Sequence, residues 1–145
     1  VIMEKITGMT TCPDKTYFKP FEKTKFTLTF LILNKQTYYF DIIEPCTKFC
    51  FYFKGVIIDQ QLNDQINEAY ISYQNDKLEK AENIFKQIIQ NYSDYPYGIW
   101  YFNLINILEE EGKKSEYKLW VERLERSSIK DKEYYLKLLN ESLFN

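Results

Sequence analysis

The sequence predicts an α+β fold: a small N-terminal antiparallel β-meander over residues 1–58, followed by a five-helix antiparallel array over residues 59–145. Three observations carry this. Before Asp59 the apolar residues alternate with a period of two, and after it they recur every three or four positions. The charge balance breaks at the same place, with 8 Lys against 5 acids before Asp59 (net +3) and 11 bases against 16 acids from it onward (net −5). Hydrophobic residues make up 45% of 145 positions, enough for a packed core and too many for a disordered chain.

The β elements come first. Phe26, Leu28, Phe30 and Ile32 alternate with Thr27, Thr29, Leu31 and Leu33, the period of a strand. Asn34-Lys35-Gln36 is a candidate hairpin turn, and Thr37 to Ile43 is β-branched and aromatic until Glu44-Pro45 breaks it. Lys48 to Ile58 follows, with Phe49, Phe51 and Phe53 expected on a buried face, Lys48, Cys50, Tyr52 and Lys54 on the other, and Gly55 at a bulge or bend. Further strands are expected near residues 2–9 and 16–21.

From Asp59 the period is helical. Leu62, Ile66, Ala69, Tyr70 and Tyr73 form a first apolar stripe. Asp76-Lys77-Leu78-Glu79 has the form of an N-cap with a reciprocal Glu three residues on. A second helix carries Leu78, Ala81, Ile84, Phe85, Ile88 and Ile89 to about Asn91. Pro96 suits the first turn of a third helix, with Asp94 as its candidate cap. That helix holds Ile99, Trp100, Phe102, Leu104, Ile105 and Leu108 and stops at Gly112. Tyr117, Trp120, Val121 and Leu124 mark a fourth, and Tyr134, Tyr135, Leu138, Leu139 and Leu143 a fifth.

Ala69 and Ala81 are the only two alanines in the chain, and each sits mid-helix on an apolar face. Helices approach closely only where a side chain is very small. The segment from Ala69 to Phe85, with its polar turn Asn75-Asp76-Lys77-Leu78, resembles the middle of a tetratricopeptide repeat. A second copy follows at an offset of 36 residues, where Gly112 stands in place of Asp76, close to the repeat length of about 34 in that family. Its helices carry Tyr101, Leu104, Ile105 and Leu108, then Tyr117, Val121 and Leu124. It departs from the pattern at both small-residue positions, filled by Ile105 and Tyr117, so looser packing is expected there. Gln65, Glu68 and Ser72 depart from the pattern in the first copy. The resemblance covers about residues 62–127, and residues 128–145 read as a terminal capping helix.

The chemistry is bounded by an absence: there is no His in the chain. That removes the commonest general base, the Ser–His and Cys–His nucleophile pairs and most zinc sites. No catalytic residues, metal ligands or cofactor are expected, and the chain is not expected to be an enzyme. Cys12, Cys46 and Cys50 read as free thiols, with a Cys46–Cys50 or Cys12–Cys46 bridge left open. The four glycines are scattered and form no phosphate loop. The run Glu109-Glu110-Glu111 is either a patch for a basic partner or a solvated helix end, partly neutralised by Lys113 and Lys114.

The resemblance implies a protein-binding module whose first helices line a groove for a partner segment. Ile66, Tyr70, Tyr73 and Gln74 of the first hairpin and Phe102, Asn106, Glu109 and Glu110 of the second are the candidate partner-binding residues. The same aromatics packing against neighbours is the alternative. Two hairpins are fewer than the three such arrays usually need, so support from the β region, a second copy or a larger assembly is expected. The partner is expected to be a protein or a further copy of the chain. Single-stranded nucleic acid on the Lys48–Gly55 strand, where bases and aromatics interleave, is the alternative and the less expected partner. The longest apolar run, Phe30 to Leu33, is too short to span a bilayer, and the default location is cytoplasmic. A leader removed before Val1 is compatible with this reading.

Overall fold

The computed structural model describes residues 3–10, 14, 17, 19, 23, 25–30, 36–43 and 52–142. The fold is α+β, with two small antiparallel strand pairs followed by five helices. The chain divides into two compact units, Val1–Ile58 and Asp59–Asn145.

In the first unit, β1 (Met3–Thr7) pairs antiparallel with β2 (Thr27–Phe30), and β3 (Tyr39–Ile43) with β4 (Tyr52–Ile57). β2 keeps the expected period: Leu28 and Phe30 are half-buried while Thr27 and Thr29 are exposed. Phe30 meets Phe40 of β3 edge-on at 5.4 Å, an arrangement favoured by the ring quadrupoles. In β4 an extra residue bulges out opposite β3, between the pairs Phe40↔Val56 and Ile42↔Phe53. Gly55 occupies the bulge with φ +63°, and its N–H is held by Asp41 Oδ1 at 2.8 Å. A positive φ there favours glycine. The bulge undoes the expected alternation, because Tyr52, Phe53 and Lys54 are all exposed and Phe53 is not a core residue. Phe49, Phe51, Asn34, Lys35 and most of the 16–21 segment lie outside the described residues.

The second unit contains every buried hydrophobic side chain among the described residues. Its helices are α1 (Gln60–Gln74), α2 (Leu78–Asn91), α3 (Ile99–Glu110), α4 (Lys114–Arg126) and α5 (Lys132–Ser142). Each packs on the next in sequence, most extensively α1 on α2. Ala69 and Ala81 are fully buried at 0% exposure, as are Leu62, Leu104, Ile105, Leu108 and Leu124. With Ile105 and Tyr117 in place of small residues, α3 and α4 contact each other less than α1 and α2 do.

Two expected caps are different in the structure. Asp76 is not the N-cap of α2; it is the left-handed residue that ends α1, with φ +57°. Asp76 N–H donates to Tyr73 O at 3.0 Å and Lys77 N–H to Ser72 O at 2.9 Å, the paired bonds of a Schellman turn. The same turn ends α3: Gly112 (φ +68°) N–H donates to Glu109 O, and Lys113 N–H to Leu108 O, both at 2.9 Å. Nor does Pro96 enter a first helical turn. Residues 92–98 form an aromatic connector in which Tyr95 stacks on Trp100 at 4.0 Å. The cap on α3 is Asp131 rather than Asp94, its Oδ1 accepting from Gly98 N–H at 2.8 Å, while Lys130 N–H donates to Pro96 O at 2.9 Å. A carboxylate from a later connector thus satisfies an early helix start. α1 carries a local side-chain cap at its start, Asp59 Oδ1 accepting from Leu62 N–H at 2.8 Å.

Candidate functional site

The five helices form two layers. α1, α3 and α5 make one, linked by side chains that reach from helix to helix. Asn103 Nδ2 of α3 donates to the Tyr70 hydroxyl of α1 at 2.8 Å, and the Tyr73 hydroxyl donates to Glu110 Oε1. Phe102 lies 5.4 Å from the ring of Tyr135 on α5. α2 and α4 make the other layer and are joined by the ion pair from Lys86 of α2 to Glu116 of α4.

Of the expected partner-binding residues, the α1–α3–α5 layer brings together Tyr70, Tyr73, Phe102 and Glu110. Tyr70 and Tyr73 are each 37% exposed, so each leaves one ring edge in solvent while its hydroxyl is engaged. The Tyr70 ring also meets Phe85 at 5.7 Å, which makes it part surface and part core. Phe102, half-buried against Tyr135, is more core than surface. Ile66 and Asn106 are half-buried and Gln74 is exposed. Glu109 stands apart, lining a cavity of about 250 Å³ with Lys114, Tyr117 and Lys118 of α4.

The acidic run therefore splits three ways. Glu109 faces α4, Glu110 serves Tyr73, and Glu111 turns inward to lie 3.1 Å from Lys113 Nζ. The hydrogen bond to Glu110, followed by burial, raises the Tyr73 hydroxyl above its ordinary range. Burial and the nearby Glu82 carboxylate likewise push Glu111 up.

Two further groups shape this site, neither of them among the expected partner-binding residues. The first is Glu82, whose side chain is 5% exposed and accepts from both Lys86 and Lys113. Burial opposes its charge, but the two ammonium groups prevail and hold the carboxyl at about 2. The signal was present: Glu82 precedes Phe85 by three residues and Ile89 by seven, on one helical stripe. The second is Tyr135, which packs on Phe102 and against Gly98, where an added Cβ would come within 2.8 Å of its ring. Burial pushes its hydroxyl up to about 12. Cys12, Cys46 and Cys50 lie outside the described residues. Among the described residues no helix is long and apolar enough to cross a membrane.

Comparison with protein-family models, with characterised proteins and with solved structures finds no match for this chain.

Proposed function

We propose that the helical unit is a non-catalytic, tetratricopeptide-like protein-binding module, acting as an adaptor or a small subunit of a larger assembly. It takes a partner segment along the α1–α3–α5 layer. The observation that carries this is the pair Tyr70 and Tyr73: both hydroxyls are tied to α3, yet both rings stay more than one-third exposed. Rings held this way offer apolar area with little entropy left to lose, the property that makes tyrosine a frequent anchor at interfaces. The repeated Schellman turns at Asp76 and Gly112, 36 residues apart, support two stacked copies of one hairpin. The reading requires no cofactor.

The test is native-abundance co-purification with mass spectrometry, followed by variants. Tyr73→Ala is preferred to Phe102→Ala, because Phe102 also holds Tyr135. One stoichiometric partner, released by Tyr73→Ala in a chain that still folds cooperatively, supports the proposal. A partner retained by both Tyr73→Ala and Tyr70→Ala counts against it.

A second reading rests on β4. Tyr52 (63% exposed) and Phe53 (49% exposed) lie beside Lys54, whose Nζ is 5.1 Å from the Tyr52 ring centre. Exposed rings next to a cation can stack single-stranded bases. A salt-dependent shift of single-stranded RNA that is lost in Tyr52→Ala would favour it.

A further inference from the structure

The α2–α4 layer carries a second surface, independent of the first. A cleft of about 950 Å³ is lined by α2, α4 and Tyr101. Arg123 and Arg126 are the only two arginines in the chain, and both line this cleft with Ile89, Leu119 and Trp120. Three residues apart on α4, they project to the same side.

Neither guanidinium is consumed by the fold. Arg123 lies over the Trp120 ring, 4.5 Å from its centre, and the ring is itself buried and braced edge-on by Tyr101 at 5.8 Å. Among the described residues Arg123 forms no ion pair. Arg126 touches Glu122 at 3.6 Å with both side chains mostly exposed, a contact that water and salt readily displace. Lys86, on the same wall, is already committed to Glu82 and Glu116. Leu119, 46% exposed, adds an apolar step beside them.

A guanidinium resting over an indole ring, with no ion pair of its own among the described residues, keeps a planar fork of N–H donors that can bind a carboxylate through two parallel hydrogen bonds. From this we infer that the cleft binds a short acidic segment of a partner protein. Two of its carboxylates pair with Arg123 and Arg126, and one apolar side chain rests on Leu119. A long polyanion fits less well, because the unit surrounding the two arginines carries 16 acids against 11 bases and its field repels extended negative charge.

The test is fluorescence anisotropy of the full chain against short Glu-rich peptides with a single Leu walked through successive positions, and against their Lys-rich counterparts. At least one acidic peptide binds saturably and more weakly in raised salt, and the Lys-rich set does not bind. Arg123→Gln weakens binding about tenfold, and Arg123→Lys does not restore it, because an ammonium lacks the planar fork. Arg126→Glu, at an exposed position, lowers affinity without moving the thermal midpoint. Tyr73→Ala, in the other layer, leaves it intact. The inference is overturned if no acidic peptide is preferred or if Arg126→Glu binds as well as the parent. Equal displacement by inorganic phosphate or single-stranded RNA also overturns it, as does a dimer in sedimentation that Arg126→Glu dissolves.

Discussion

Glu82 shows at the scale of one residue how a buried charge is tolerated. It sits beside Ala81 on the packed side of α2 and is kept ionised by Lys86 from its own helix and Lys113 from the α3–α4 turn. Glu82→Gln removes the acceptor shared by the two lysines but leaves Lys86 its pair with Glu116 and Lys113 its pair with Glu111, so it should cost about 2 kcal/mol, the scale of lost hydrogen bonds to charged groups, read as the shift in denaturant midpoint. The folded-state carboxyl, at about 2, lies below its ordinary 4.5. Its contribution is therefore complete above pH 4.5 and is lost as the pH falls towards 2. Acid unfolding of Glu82→Gln should lack that component. Gly98 is the second informative residue. Its φ of −85° is open to any residue, but the Tyr135 ring leaves no room for a Cβ. Gly98→Ala should then destabilise by about 1–3 kcal/mol through overpacking. The buried alanines were legible because nothing else in the chain is that small. The role of Glu82 was not, because its second partner lies 31 residues away.

At the scale of elements, two helices end in the same Schellman turn with different residues at the left-handed position. Gly112 has open space around its missing Cβ, so Gly112→Ala isolates the backbone cost, about 1 kcal/mol. Asp76 already bears a similar cost, and Asp76→Gly should stabilise by roughly 0.5 kcal/mol, less than the reverse change at Gly112 because Asp tolerates this region better than most residues. Thermal melts of the two variants should therefore move in opposite directions. The Gly112 stop was readable in the sequence. At Asp76 the sequence is ambiguous, because Asp followed three residues later by Glu fits a capping box as well as a turn. The α3 start departs from the expectation for a different reason. Asp131 supplies the bond that Asp94 was expected to make, and no local pattern reports a cap from 33 residues downstream. Asp131→Ala should cost about 1 kcal/mol and loosen the contact between the two connectors, visible as faster amide exchange at Gly98.

For the helical unit as a whole, acid and alkali act at different seams. The ion-pair cluster around Glu82 joins the α2 layer to the α3–α4 turn, and acid attacks it. The tyrosines respond at the other end of the scale: Tyr73, Tyr92, Tyr101, Tyr117 and Tyr135 all have hydroxyls raised above 10. A raised value stabilises the neutral form, so the folded unit is fully favoured below pH 10. For Tyr135 that advantage is lost as the pH rises to about 12. Tyr135→Phe should reduce the alkaline sensitivity of the α3–α5 contact while leaving acid unfolding unchanged, as monitored by Trp fluorescence across both pH ranges.

The sequence by itself determined the class of fold, the change of period near Asp59, the number of helices and the two small contact points at Ala69 and Ala81. These depend on local periodicity and side-chain size, which a linear chain displays directly. Only the tertiary structure decided which charges are buried, which aromatics keep an open edge, that α5 joins α1 and α3 in one layer, and that both arginines line one cleft. Each of those depends on groups brought together from distant positions, and their energies depend on water excluded by a packing that no short stretch of chain encodes.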